Sequence, residues 1–346
     1  MADRAPGATL LPRETTGRSW RELRGSPTSM MAALFIGVFA LEMLFIASYV
    51  GGLSRPSAQH IPVGVVGPPG LAAQVNAESG GVISARPFAS LAAARQAIDQ
   101  QRIVGALASG GGHDLLVVAA APTPINTAAL EAALGPAAAH SGGSLQTQVV
   151  HPLAAGDPEG LASFYLAVGW AVGGYLIASL LGLARGSEPG WAGLAARLPA
   201  LAAYSAVSGL VGAAIVADFM AVLPGSMWAM AGVGALTVFA VALTTSALQV
   251  LLGEAGGTGL AIGIFVVLGN PSAGGPYTRY YLTGVWRWAD GLIPTSAATE
   301  AVRSIAYFPD AGIGGPLLVT GLWALGSLAI LLAGASLRSR RPALSR

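Results

Sequence analysis

Apolar residues in this chain fall into six long runs: Met30–Val50, Leu161–Leu183, Leu198–Leu223, Trp228–Leu252, Thr258–Leu268 with a polar extension, and Pro316–Leu337. A bilayer core of about 30 Å takes roughly 20 helical residues, so each run predicts a membrane-crossing helix. The fifth has the shortest strictly apolar part. It predicts a span that starts as early as Ala255 and either continues towards Ser272 or breaks near Asn270-Pro271. The first run covers 21 residues, whereas the apolar region of a signal peptide covers roughly 7–15, which predicts an uncleaved anchor.

Between the first two runs, Ser54 to Glu159, the pattern changes to short segments of alternating type. Ile61–Gly67 (IPVGVVG) reads as a buried strand, followed by a helix over Pro69–Glu78 and a strand over Gly81–Pro87. Ser90 is placed to cap a helix with Leu91, Ala94 and Ile98 on one face. Arg102–Ser109 and Asp114–Ala120 flank the turn Gly110-Gly111-Gly112. A helix over Thr127–Ala139 and a strand over Ser144–His151 complete the set. Strands alternating with helices predict a small α/β domain.

A third kind of segment, Asn270 to Phe308, carries three Tyr and two Trp before Ser296. Such amphipathic rings suit the headgroup region. From Ser296 to Phe308 the spacing of Ala298, Val302 and Ile305 predicts a helix lying on or dipping into the outer leaflet. On it Glu300 and Arg303 are spaced to pair at i, i+3.

Composition agrees with a membrane protein. Of the 346 residues, 53% are hydrophobic and 10% charged, with mean hydropathy +0.63. A soluble domain carries roughly 25% charged residues. The Arg residues set the orientation. Arg4, Arg13, Arg18, Arg21 and Arg24 precede the first run, Arg185 and Arg197 lie between the second and third, and Arg338, Arg340, Arg341 and Arg346 follow the last. These 11 fall in short segments on one side, and the remaining seven are scattered on the other. Both termini are therefore expected to be cytoplasmic in a multi-pass plasma-membrane protein. A net charge of +2, with Arg so distributed, gives no reason to expect nucleic acid.

The residue inventory excludes several chemistries. There is no Cys, and all 18 basic residues are Arg. Disulfides and thiolate sites are therefore absent, and a P-loop lacks its Lys. GVVGPPG spaces its glycines as Gly64-x-x-Gly67-x-x-Gly70, and Pro68 and Pro69 lack the N–H groups that a phosphate needs. His60, His113, His140 and His151 match no zinc spacing, and no G-x-S-x-G elbow occurs. The chain is expected to be no enzyme and to carry no cofactor.

Chemistry within the spans is sparse. Glu42 lies near the middle of the first, and Asp218 near the outer end of the third. An acid buried in lipid costs at least ~2.5 kcal/mol, so both are candidate pathway groups. The bland alternative for Asp218 is a wet interfacial position. Gly169-x-x-x-Gly173, continued by Gly174 and Ala178, and Ser208-x-x-x-Gly212 let helices approach closely, within one subunit or between two. Trp20, Arg21 and Arg24 belong to a stretch that suits a short interfacial helix or a plain basic flank.

Five stretches resemble one family: SWRELRGSP, ARQAIDQQRIVGAL, GDPEGLASFYLAVGWAVGGYL, GNPSAGG and LIPTSAATEAVRSIAYF. With them the chain resembles the permease subunits of bacterial ABC-2-type exporters, in the subgroup with a large external domain after the first span, to which the phage infection protein group is related. The resemblance implies an α-helical polytopic membrane protein with an inserted extracytoplasmic α/β domain. Residues 1–29 are then a cytoplasmic tail, 30–53 the first span, and 54–160 the external domain. Residues 161–337 form a five-span domain with an external re-entrant segment over 270–315, and 338–346 a second cytoplasmic tail. It further implies a separate ATP-binding subunit docking on Trp20, Arg21, Arg24, Arg185 and Arg197, and a pathway between two permease chains in a homodimer or heterodimer. Pro189-Gly190 divides the Ala184–Arg197 segment, which such a subunit would meet. The alternative is a non-transporting envelope protein whose external domain binds a ligand or partner.

Overall fold

The computed structural model describes residues 27–340 apart from 55, 111–112, 122, 141–142 and 188. Trp20, Arg21 and Arg24, proposed from the sequence as a docking stretch, lie outside the described residues. Five helices are long and apolar enough to cross a membrane: Met30–Leu53, Ala162–Arg185, Trp191–Phe219, Met227–Ser272 and Gly314–Ser339.

The helix α1 (Pro27–Leu53) leads into an α/β region. Its elements are β1 (Ile61–Val66), α2 (Leu71–Glu78), β2 (Ile83–Pro87), α3 (Leu91–Asp99), β3 (Gly105–Gly110), β4 (His113–Ala119), α4 (Pro124–His140) and β5 (Ser144–Val150). The strands form one sheet in the order β2-β1-β3-β4-β5. β1 runs parallel to β2 and β3, β3 and β4 form an antiparallel pair, and β5 is parallel to β4. The alternation read in the sequence produces this sheet. Ser90 caps α3 through an N–H bond from Ala93 at 3.2 Å. The buried face of α3 is Ala94, Ala97 and Ile98.

The remaining helices form a bundle: α5 (Ala162–Arg185), α6 (Trp191–Ala214), α7 (Met227–Ile262), α8 (Gly269–Ser272), α9 (Gly284–Ala289), α10 (Pro294–Tyr307) and α11 (Gly314–Arg340). π-helical turns over Ile215–Phe219 and Gly263–Leu268 extend α6 and α7. Close approach rests on small residues. A Cβ at Gly209 would lie 2.4 Å from Ala235 N on α7, and one at Gly174 would lie 2.8 Å from Val238 O.

The helix α7 is not continuous. Gly253 has φ 78 and ψ 172, outside helical space. Eight residues of straight helix span about 12 Å. A Cβ on Gly257 would nevertheless lie 2.3 Å from Gln249 N, and Gln249 Nε2 donates to Thr258 Oγ1 at 3.0 Å. The chain therefore folds back on itself at Gly253, so residues 254–272 pack beside 227–252 rather than prolonging them.

The helix α1 stands apart from the bundle. Every side chain from Met30 to Ala47 except Leu41 is exposed in the isolated chain. Its last turns are pinned. Ser48 Oγ donates to Val267 O at 2.5 Å, one of the carbonyls in the π-helical turns, and accepts from Trp286 Nε1 at 2.9 Å. Asn270 Nδ2 donates to Tyr49 Oη at 2.8 Å.

The helix α10 differs from its expected setting. It starts at Pro294, whose missing N–H costs nothing at the first helical position, and it is buried on almost every side rather than lying on a lipid surface. The bundle takes one flank. The α/β region rests on another flank, through Gln101 at Ser304 and the His151 ring against Phe308, while Glu300 stays exposed.

Candidate functional site

Where the α/β region rests on α10 there is a recess of about 170 Å³, lined by residues from the loop between α3 and β3, from β4, α4, the turn after α8, and α10. Its floor depends on the GNPSAGG turn. Gly274 adopts φ 66, a left-handed conformation that glycine takes without steric cost. This points the carbonyls of Gly274 and Gly275 at Arg303, which donates to both through Nη2. On the other side of the turn, a Cβ at Gly275 would sit 3.0 Å from the Phe164 ring of α5.

The start of α10 is fixed by Ser296, whose Oγ accepts from Gly291 N and donates to Ile293 O, both at 2.9 Å. That arrangement carries Asp290 into the recess, where it forms an ion pair with Arg279 at 3.3 Å. The α/β region is tied in by Tyr281 Oη donating to Ile125 O at 2.9 Å and Gln101 Nε2 donating to Ser304 Oγ at 3.1 Å. Thr278 Oγ1 donates to Asn126 Oδ1 at 3.2 Å.

The electrostatics follow from burial. Desolvation raises Asp290 to about 6, against the pull of Arg279. It also raises Glu300, offset by Arg279 and Arg303. Arg303 is 8% exposed, and its burial lowers it to about 10 despite Asp290, Asp157 and Glu300. Two acids and two guanidiniums thus meet at the recess with formal charges in balance, Asp290 and Arg303 in its buried part and Arg279 and Glu300 at its open edge. Two donors are unused: Nδ2 of Asn126, which is 0% exposed, and Nε of Arg303. Such a site can hold a polar solute by hydrogen bonds and charge. Among the described residues no group of three His, Asp or Glu could hold a metal ion.

Of the residues singled out in the sequence, Glu300 and Arg303 meet here, but not as the i, i+3 pair expected. Arg303 turns inward to the glycine carbonyls, because these buried acceptors lie within its reach. Glu300 stays at the rim. Glu42 lies on the exposed stretch of α1, and Asp218 is exposed in the π-helical turns after α6. Arg185 is the exposed last residue of α5. Arg197 is 3% exposed and donates to Gly186 O at 2.7 Å and Leu181 O at 3.3 Å. It thereby places a cation at the C-terminal end of α5, where the helix dipole favours one.

Gly173 faces Tyr204, whereas a Cβ at Gly169 would meet nothing within 4 Å. Gly169 instead lines an apolar groove of about 580 Å³ between α5 and α6. Asp290, Arg279, Asn126 and Gln101 carry the recess, yet none stood out in the sequence. The available signal was that Arg279 and Asp290 are charged residues in a membrane-adjacent segment of a chain poor in charge. Comparison of the chain with protein-family models, curated proteins and solved structures finds no match.

Proposed function

We propose that this chain is the membrane-spanning permease subunit of an ABC-2-type exporter. In this reading it crosses the plasma membrane six times with both termini cytoplasmic, pairs with a second permease chain, and works with a separate ATP-binding subunit. The observation that carries the topology is one of parity. The α/β region and the 278–308 segment are hydrogen-bonded to each other, so they share one side of the bilayer. α5 and α6 take the chain across and back. The Met227–Ser272 stretch must then cross an even number of times, and its reversal at Gly253 supports two crossings. The lone membrane-crossing face of α1 and the open groove at Gly169 leave room for a second chain.

The segment that resembles the family's re-entrant element, LIPTSAATEAVRSIAYF, forms a helix wedged between bundle and α/β region. That position would let movement of the bundle reach the external domain.

A second reading, a non-transporting envelope protein with an external binding domain, is favoured by one observation. Only residues 186–190 separate α5 from α6, which offers an ATPase no helix of its own in that loop. Crosslinking in native cells, purification of this chain and mass spectrometry of its partners separates the two. Recovery of a P-loop protein, lost when residues 184–197 are replaced, supports the permease. Recovery of envelope proteins or self-association alone overturns it.

A further inference from the structure

The recess between the α/β region and α10 has a definite size, charge layout and wall chemistry. Its volume of about 170 Å³ is close to that of a cavity that accepts a six-carbon ring, roughly 150 Å³. Its occupant is therefore a molecule of fewer than about ten heavy atoms by the same comparison. Part of the wall is apolar, from Ile103, Val104, Ala121 and Phe308. The rest is polar and asymmetric.

Asp290 is engaged by Arg279. Glu300 makes no ion pair within 4 Å among the described residues, and one turn further along α10 Arg303 keeps a free Nε–H. Asn126, on the opposing wall, keeps a free Nδ2–H. Buried donors without partners cost about 1–3 kcal/mol each, so their presence at a cavity wall marks a place where an acceptor belongs. A single anion would satisfy the donors but face the carboxylates, and a single cation would do the reverse. A molecule carrying both charges a few bonds apart, with an apolar remainder, matches all three features.

We propose that this recess is a binding site for a small zwitterion of the amino-acid class with an apolar side chain. Its ammonium is held at Glu300, its carboxylate at Arg303 and Asn126, and its side chain lies against Ile103 and Val104. The site stands whether the chain exports anything or not. Because its walls come from both the α/β region and α10, an occupant bridges the two, stabilises their contact and reports the external solute to the membrane bundle.

The test uses the full chain in lipid nanodiscs and calorimetric titration with L-valine, isobutylamine and isovalerate, which keep the side chain but carry both charges, the amine alone or the acid alone. L-Valine is expected to bind, and each single-charge analogue about tenfold or more weakly, the loss for one charge-assisted hydrogen bond. Glu300→Gln should remove the preference for L-valine over isovalerate, and Val104→Phe, which fills the recess, should abolish binding. The control Glu78→Gln, at a residue that does not line the recess, should bind as the parent does. Absence of L-valine binding at about 10 mM, weaker than any useful solute site, overturns the proposal. So does equal binding of all three compounds, or unchanged affinity in both Glu300→Gln and Val104→Phe.

Discussion

Ser48 Oγ lies 2.9 Å from Trp286 Nε1 and accepts its proton, while its own proton goes to Val267 O. One hydroxyl therefore joins the end of α1, the π-helical turns after α7 and the helix α9. The same turn of α1 packs on the Trp286 ring, with Gly51 and Gly52 leaving it room. Together with the bond from Asn270 to Tyr49, this contact holds α1 to the bundle at its last turns.

Replacing Ser48 by Ala is therefore predicted to destabilise the α1 contact. It strands a buried indole N–H and a carbonyl, a loss of about 1 kcal/mol inside a membrane bundle. Protease protection of α1 in detergent should fall, while the melting of the α/β region stays unchanged. Equal protection would show that Ser48 is incidental.

Arg197 and Arg185 offer a contrast within one loop. Arg197→Met removes the donor for Gly186 O and Leu181 O and should cost about 1–3 kcal/mol, read as a lower melting temperature. Arg185→Ala, an exposed substitution, should stay within about 0.5 kcal/mol. If Arg185 serves a docking subunit, its loss should instead reduce co-purification without changing melting.

The glycines separate in the same way. Gly209→Ala drives a Cβ into the backbone of α7 and should cost about 1–3 kcal/mol or more. Gly169→Ala meets empty space and should leave the single chain as stable or better by up to about 1 kcal/mol, the helix preference of Ala over Gly. A Gly169→Ala variant that loses self-association while keeping its melting temperature would place a second chain on the α5–α6 groove.

The pH dependence follows from Asp290. Its folded value of about 6 stands above the ordinary 3.8, so the folded state holds a proton that the unfolded state has released. Its contribution to stability is present below about 4 and is lost as pH rises through about 6. Glu300 is shifted in the same direction, and Arg303, lowered only to about 10, stays charged throughout this window. Relative to Asp290→Asn, the native chain should lose on the order of 2 kcal/mol between pH 4 and 7. A difference curve that is flat, or that rises with pH, would contradict the burial of this carboxyl.

Much of the architecture is legible in the sequence because it rests on short-range rules. The strand of Ile61–Val66, the cap at Ser90 and the apolar runs are each set by period and composition. The break at Gly253 is legible too, as the interruption between the apolar runs that end at Leu252 and begin at Thr258, although its left-handed φ is not. The recess, by contrast, is illegible. Asn126 and Thr278 are 152 positions apart, and only the docking of the α/β region onto α10 brings them together. The same docking buries Arg303, whose sequence neighbours gave it an ordinary surface partner in Glu300.

The central claim is that the α/β region and the recess lie outside a chain that turns back at Gly253 on the cytoplasmic side. A chain without cysteine allows this to be measured with no background, by single substitutions Gln74→Cys, Ala255→Cys and Asp310→Cys and a membrane-impermeant maleimide on intact cells. The account predicts that Gln74→Cys and Asp310→Cys label in intact cells, and that Ala255→Cys labels only after permeabilisation. Labelling of Gln74→Cys and Asp310→Cys from opposite sides, or of Ala255→Cys from outside, would contradict it.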